Sequence, residues 1–218
     1  MSLTSPYFNT TLSVQIMLHP KYFDNNIGKH IKEILIETFQ NRCLNEYGYI
    51  SKIYKIEERS NGVIVPEDLS ASARFNVKFS CKLCRPLKNS VIVCEVLGIN
   101  KALIYLHNGP VYVLVLEGDI NSEKFIFDDK QNVLLYQNNK SVGTQIVKGS
   151  YVKIKVVDAR IEHNAKRITA MGILDDIATP DEVVDMIGSR ESDAGKFISY
   201  DKYINSDQEH QNIVASVD

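Results

Sequence analysis

The run from residue 73 to residue 83 constrains the fold more than any other part of the sequence, because apolar and polar side chains alternate along all of it. Successive side chains of a β-strand point to opposite faces, so this pattern predicts a long strand with one buried face. That face needs a second layer to cover it. An amphipathic helix that ends near Cys43 is predicted by apolar residues at helical spacing, at positions 27, 31, 34, 35 and 39.

Two further strands complete a small α+β unit. Alternation predicts one strand at residues 11–18 and another at residues 49–56. Residues 57–69 are expected to form a loop, because turn-forming residues interrupt the pattern there. We therefore predict a first domain at residues 1–86, a truncated RNP-like unit that closes at Arg85-Pro86.

From residue 87 onward the pattern changes to short strands without a helix of consequence. These strands are predicted at residues 91–96, 102–107, 111–116, 133–136, 151–157 and 167–172. Such a series predicts a closed all-β barrel of the OB-fold type, in a second domain at residues 87–176.

A third segment, residues 177–218, follows the barrel. Its sequence Thr179-Pro180-Asp181-Glu182 matches a capping box with proline at the first helical position, which predicts a short helix to about Gly188. The rest of the segment is polar and aperiodic, which predicts a flexible acidic tail.

The formal net charge of −2 is the sum of 25 basic and 27 acidic side chains, and it conceals two regions of opposite sign. Residues 1–174 carry 22 basic and 16 acidic side chains, whereas residues 175–218 carry 3 basic and 11 acidic ones. A basic body with an acidic tail is typical of chains that contact nucleic acid or basic partners. The alternative is a solvated tail that only improves solubility.

Composition disfavours membrane and secreted classes. No apolar run is long enough to span a bilayer, and the N-terminal residues lack the pattern of a signal peptide. Four Cys in 218 residues do not form a disulfide framework. We therefore expect an intracellular protein without a membrane partner.

The sequence contains no motif typical of an active site. Cys81-Lys82-Leu83-Cys84 is the only CxxC, and no second ligand pair accompanies it, so we expect no metal and interpret Cys81 as a core residue. Phosphate-binding loops, nucleophile elbows and paired catalytic carboxylates are absent from the sequence. We therefore expect neither a cofactor nor catalysis.

Cations and aromatic rings share the predicted outer surface of the barrel. Two strands present outward Lys and aromatic or His side chains, and the adjoining turns add further cations. The residues are Lys101, Tyr105, His107, Lys153, Lys155, Arg160, Lys166 and Arg167. Cations that pair with phosphates, interleaved with rings that stack on bases, are typical of proteins that bind single-stranded nucleic acid. The alternative is an ordinary solvated strand surface, where the same alternation also occurs.

The order of the elements and five short motifs resemble the larger stalk subunit of multisubunit DNA-directed RNA polymerases. In RNA polymerase II this is subunit seven, and in the archaeal enzyme it is the E-prime protein. The resemblance covers about residues 8–178. Its motifs are His19-Pro20-Lys21-Tyr22-Phe23, Gly62-Val63-Ile64-Val65-Pro66, Arg85-Pro86-Leu87-Lys88, Gly109-Pro110-Val111-Tyr112-Val113 and Ala170-Met171-Gly172-Ile173-Leu174.

The resemblance implies a non-catalytic polymerase subunit that acts in transcription initiation and elongation. It implies that the N-terminal domain is a tip that docks on the polymerase core near the clamp, through Gly62, Val63, Ile64, Val65 and Pro66. It also implies that the OB barrel binds nascent RNA and that a smaller stalk subunit forms a heterodimer with this chain. The alternative for the tip loop is that it folds back on its own domain.

Two departures from the family pattern concern the barrel. Asn89 stands where the family usually has Gly, and Lys101-Ala102 stands where it often has Gly-Phe, so one expected base-stacking ring is absent. A second hypothesis is a free-standing OB-fold RNA-binding factor of the exosome-cap or translation type, which predicts a stable monomer. The expected location is the nucleus for a cellular eukaryotic subunit, and the cytoplasm or virion for an archaeal or viral one.

Overall fold

The computed structural model describes residues 3–64, 66, 68–128, 133–138, 141–193 and 197–204. The chain forms an N-terminal α+β unit, a closed barrel, and a C-terminal helix with the segment that follows it. Two hydrophobic clusters correspond to the two units. The predicted class, an α+β unit followed by an OB-like barrel, is confirmed.

The N-terminal unit is an antiparallel sheet covered on one face by a helix. Its elements are β1 (Tyr7–Leu18), α1 (Ile27–Phe39), β2 (Arg42–Leu44), β3 (Gly48–Arg59), β4 (Val63–Ile64) and β5 (Ala73–Cys84). The strand order is β1-β5-β3-β2, and β4 pairs with the start of β5. The alternating run is the central strand β5, and its apolar face packs with Ile31 and Leu35 of α1 in one cluster.

Helix α1 ends at Phe39, before the end predicted near Cys43. Asn41 has a φ of 61°, a left-handed conformation through which an α-helix does not continue. The Asn41 backbone N–H donates to the Ile50 carbonyl, so the chain turns into β2 and pairs with β3. Cys43 is therefore buried in a strand and not in the helix.

The second unit is a five-stranded closed barrel. Its strands are β6 (Val91–Ile99), β7 (Leu103–Asn108), β8 (Val111–Leu116), β12 (Tyr151–Arg160) and β13 (Ile168–Ile177). They follow the order β12-β13-β8-β7-β6, and only the pair of β13 with β8 is parallel. Gly172 permits close packing inside the barrel, because a Cβ there would lie 2.4 Å from the Ile154 Cγ2 atom.

The strand predicted at residues 133–136 forms outside the barrel, so its grouping with the barrel strands was wrong. β9 (Phe125–Asp128), β10 (Val133–Asn138) and β11 (Ser141–Ile146) form a separate sheet in the order β11-β10-β9. The Tyr136 hydroxyl donates to Asp176 Oδ1 at 2.7 Å, which attaches this sheet to the end of β13. Alternation predicts a strand but does not identify its hydrogen-bonding partner.

The predicted capping box starts α2 (Pro180–Glu191). The Glu182 N–H donates to the Thr179 hydroxyl, and the Glu182 carboxylate accepts the Thr179 N–H at 2.7 Å. Lys153 of β12 also donates to Glu182, at 3.3 Å. The helix therefore begins against the barrel, and it continues past the predicted end at Gly188.

Residues 189–193 and 197–204, which we call the C-terminal strap, lead from the end of α2 onto the N-terminal sheet. The ammonium group of Lys82 in β5 donates to the Arg190 carbonyl at 2.9 Å and to the Ser192 carbonyl at 2.6 Å. The carboxylate of Asp193 accepts hydrogen bonds from Lys52 and Tyr54 of β3. These contacts fix the first half of the strap to one face of the sheet.

The second half of the strap closes the edge of that sheet. The Ile198 N–H donates to the Asn9 carbonyl at 2.8 Å, so the strap pairs with the edge strand β1. The Tyr203 ring then stacks on Phe8, with ring centroids 3.7 Å apart. The sequence predicted a flexible tail over this region; residues 194–196 and 205–218 of that tail lie outside the described residues.

Candidate functional site

The tip of the N-terminal unit presents apolar side chains at the end of the sheet. Val63 and Ile64 of β4 pair through their backbones with the start of β5, and their side chains are 61% and 51% exposed. Gly62 passes directly over the Phe75 ring, where a Cβ would lie 2.6 Å from a ring atom. The two apolar side chains therefore face outward and do not fold back on their own domain.

The other predicted docking residues complete the same corner of the molecule. Pro66 is exposed, and Val65 lies outside the described residues. Two neighbours that the sequence did not single out, Met17 at the end of β1 and Leu69, are also exposed. An exposed group of apolar side chains at one end of a domain is typical of a protein–protein contact.

Strand register places two of the predicted nucleic-acid contacts, His107 and Arg160, in one row across the barrel. His107 of β7 lies opposite Tyr112 of β8, Tyr112 lies opposite Thr169 of β13, and Thr169 lies opposite Arg160 of β12. The side chains of His107, Tyr112 and Thr169 point away from the barrel interior, because the intervening positions are buried. The Arg160 side chain is 79% exposed. The row therefore forms a continuous outer surface at the end of the barrel nearest the N-terminal unit.

Arg167, in the turn just before β13, extends this row, and aromatic and cationic groups contact each other there. The guanidinium carbon of Arg167 lies 5.5 Å from the centre of the Tyr112 ring, and the His107 ring centroid lies 6.1 Å from that of Tyr112. Two carboxylates reach the row: Glu95 Oε2 lies 3.3 Å from His107 Nε2, and Glu162 Oε1 lies 3.0 Å from Arg160 Nε. A cation over an exposed ring presents both a phosphate partner and a stacking surface.

The turn between β12 and β13 is held against the N-terminal unit by backbone hydrogen bonds. The Cys43 N–H donates to the Ala165 carbonyl, and the Asn164 N–H donates to the Cys43 carbonyl, both at 2.8 Å. This contact fixes Lys166 and Arg167 at the junction of the two units. The structure thus brings His107, Arg160, Lys166 and Arg167 to one end of the barrel.

The other predicted nucleic-acid residues lie elsewhere on the barrel. Tyr105 is exposed one row further along β7, and Lys101 lies in the turn at the opposite end of that strand. Lys153 and Lys155 lie on the part of β12 that pairs with β6, and Lys153 forms an ion pair with Glu182 of α2. The eight residues therefore do not form a single surface.

Tyr112 was missed at the sequence level although it is central to the row. Its ring is 37% exposed and contacts both Arg167 and His107. The alternation that identified Tyr105 in β7 applies equally to β8, where Val111, Val113 and Val115 are buried. The signal for an outward Tyr112 was therefore present in the sequence.

The two cysteines of the CxxC motif point to different hydrophobic clusters. Cys81 is buried with the α1 side of the sheet, whereas Cys84 is buried with the barrel cluster. Burial raises the pKa of the Cys81 thiol to about 12, so this side chain stays a neutral core group. Within the described residues, no group of three or more His, Cys, Asp or Glu side chains is arranged to hold a metal ion.

Comparisons with known proteins identify related chains. The family model of the SHS2 domain found in the N terminus of Rpb7p/Rpc25p/MJ0397 matches residues 13–68. The chain is 33% identical over 183 residues to an Acanthamoeba polyphaga mimivirus protein named as putative DNA-directed RNA polymerase subunit L376, and the match spans 84% of this chain and 89% of that protein.

Relatives from cellular organisms are also named as subunits of DNA-directed RNA polymerase. The chain is 30% identical to DNA-directed RNA polymerase II subunit rpb7 of Schizosaccharomyces pombe, over 72% of this chain and 89% of that protein. It is 24% identical to DNA-directed RNA polymerase subunit Rpo7 of Sulfolobus acidocaldarius, over 66% of this chain and 76% of that protein. None of the helices in the described part of the chain has the length and apolar content needed to cross a bilayer.

Proposed function

Because the chain belongs to the family of Rpb7-type subunits of DNA-directed RNA polymerase, we propose that it is a non-catalytic stalk subunit of such an enzyme. In this function its N-terminal tip docks on the polymerase core near the clamp, and its barrel contacts nascent RNA during initiation and elongation. The relatives favour this function over a free-standing RNA-binding factor.

The separation of two surfaces along β5 supports this function. The exposed apolar tip residues Val63 and Ile64 pair with the first residues of β5. The last residue of the same strand, Cys84, is buried with the barrel cluster, beside which the cation-bearing row lies. The surface at the start of β5 therefore suits an apolar protein contact, and the surface at its end suits a polyanion.

The docking test uses a tagged full-length chain expressed in its natural host, with co-purified proteins identified by mass spectrometry. We expect the large polymerase subunits to co-purify with the wild-type chain. Recovery should fall by about tenfold or more for the double variant Val63→Asp/Ile64→Asp, because docking would bury two unpaired charges. The matched control is Val184→Asp, since Val184 on α2 is 68% exposed and lies away from the tip.

Two results would contradict docking through the tip. One is a wild-type chain that never recovers the large polymerase subunits. The other is a double tip variant that recovers them as well as the Val184→Asp control does. The same purification tests the smaller stalk subunit, which is expected among the recovered proteins together with the core.

The RNA contact is tested separately with the purified chain and a labelled single-stranded RNA. We expect Arg167→Gln to weaken binding several-fold, because it removes one phosphate partner and the cation over Tyr112. Lys148→Gln is the control, since Lys148 is an exposed cation in the turn before β12. Absence of wild-type binding at low salt would exclude this contact.

The location of the protein in the cell would follow that of its polymerase: the nucleus for a cellular eukaryotic enzyme, and the cytoplasm or virion for an archaeal or viral one.

A further inference from the structure

A cleft of about 360 Å³ lies between the N-terminal unit, the barrel and the end of α2. Tyr7, Tyr49 and Ser51 line it from the N-terminal unit, Tyr112 and Lys166 from the barrel, and Arg190 from α2. Its volume falls in the range of sites that enclose small ligands, about 300–1,000 Å³. The cleft adjoins the cation-bearing row, because Tyr112 belongs to both.

The charge of the cleft is positive. Lys166 and Arg190 contribute cations, and the described residues that line the cleft include no Asp or Glu. Lys166 makes no ion pair within the described part of the chain. Arg190 approaches only Glu191 among the described carboxylates, at 3.5 Å, and an exposed ion pair of this kind is weak because water screens it. Both cations are therefore available to an anionic ligand.

The walls of the cleft are aromatic and rigid. The Tyr7 hydroxyl donates to the Asn108 carbonyl at 3.3 Å, and Gly109 lies so close that a Cβ there would be 2.1 Å from this hydroxyl. Burial raises the pKa of both Tyr7 and Tyr49, so both phenols stay neutral. The Tyr7 ring itself is buried and forms the floor of the cleft. The accessible rings of Tyr49 and Tyr112, beside two cations, match the composition of surfaces that bind single-stranded nucleic acid.

One polar atom in the cleft lacks a partner. The hydroxyl oxygen of Ser51 is enclosed and makes no hydrogen bond to any described residue. Buried polar groups are normally hydrogen-bonded, and a group left without a partner destabilises the folded state. Rotation of the Ser51 side chain to another staggered rotamer would bring this hydroxyl to a hydroxyl or carbonyl group of a ligand.

We propose that the cleft binds one nucleotide of a single RNA strand, with its phosphate between Lys166 and Arg190 and its base against the rings of Tyr49 and Tyr112. This inference rests on the RNA contact proposed above, and it extends that contact from the barrel to the N-terminal unit and the C-terminal helix. The sugar or base then supplies the partner for Ser51. The nucleotide's neighbours along the strand pass over the adjoining row.

The test measures binding of a labelled single-stranded RNA to the full chain by fluorescence anisotropy. We expect Lys166→Gln and Arg190→Gln each to raise Kd about three- to tenfold, and each to lower the slope of log K against log salt by about 0.7. Lys148→Gln, an exposed cation away from the cleft, should change neither quantity. RNA containing 4-thiouridine should crosslink to peptides that contain Tyr49 or Tyr112.

The outcomes separate this inference from the proposed function. If Arg167→Gln weakens binding while Lys166→Gln and Arg190→Gln do not, RNA binding stands and the cleft is overturned. If the wild type binds no RNA, both are overturned. If uridine monophosphate blocks the crosslink as efficiently as an equal concentration of RNA, the cleft is a free-nucleotide site, and its assignment to a strand is overturned.

Discussion

The attachment of the C-terminal strap to the sheet depends on Lys82, and Lys82→Met tests this directly. The Lys82 side chain is only 4% exposed, and burial lowers its pKa. Its ammonium group donates to the carbonyls of Arg190 and Ser192. Each bond to a charged group is worth about 1.5–3 kcal/mol, and the cost of burying the ammonium offsets part of this sum. We therefore expect the variant to weaken strap attachment by about 2 kcal/mol.

Hydrogen exchange at the Ile198 amide measures this attachment, because that N–H donates to Asn9 only when the strap lies on β1. A loss of about 2 kcal/mol corresponds to an exchange rate about 30-fold higher. Lys78→Met is the matched control on the same strand, where an exposed Lys78 lies 3.5 Å from Glu58. Unchanged exchange at Ile198 in Lys82→Met, or an equal rise in both variants, would refute the assigned role of Lys82.

Two further predictions concern the barrel and its attached sheet. Gly172→Ala should lower the free energy of unfolding by about 1–3 kcal/mol in urea titrations, because its Cβ would lie 2.4 Å from a buried methyl group. Gly98→Ala is the control and should have a smaller effect, because a Cβ there meets no neighbouring atom. Equal effects of the two substitutions would contradict close packing at Gly172. Burial opposes ionisation of Asp176, but hydrogen bonds led by that from Tyr136 bring its pKa below 3.8. The stabilisation by the ionised carboxylate is present above pH 3.8, the ordinary pKa of Asp, and is lost as pH falls through the lowered pKa. Asp176→Asn should therefore be less stable than wild type at about pH 6, and the difference should shrink toward about pH 2. A difference in stability that does not depend on pH would contradict this.

Local patterns in the sequence predicted the elements whose cause is itself local. The alternation of β5 and the capping box at Thr179 specify a strand and a helix start without reference to the rest of the chain. The end of α1 was missed because the backbone conformation of Asn41 depends on its bond to Ile50 in β3. The partner of β10 was missed for a related reason, since strand pairing joins residues that are distant in sequence.

Only the local features of the candidate site could be predicted from the sequence, because its assembly depends on residues that are distant in sequence. Alternation correctly identified outward side chains such as His107 and Tyr105, but it could not group them, because grouping follows from the order of strands in the barrel. Arg190 lies in a polar, acidic segment whose sequence gives no sign of the cleft. Arg190 reaches the cleft because α2 extends past Gly188 and because Lys82 donates hydrogen bonds to the carbonyls of Arg190 and Ser192.

The length of β5 has a mechanical consequence. Its 12 residues, at about 3.3 Å each, make a rod of about 40 Å whose first residues pair with the apolar tip and whose last residue is buried with the barrel. Such a rod acts as a lever arm: a tilt of about 5° where the tip is held moves the far end by about 3.5 Å. In the proposed docked state, a small rotation at Val63 and Ile64 would therefore displace the barrel by close to the distance of about 3.4 Å between successive nucleotides along one strand.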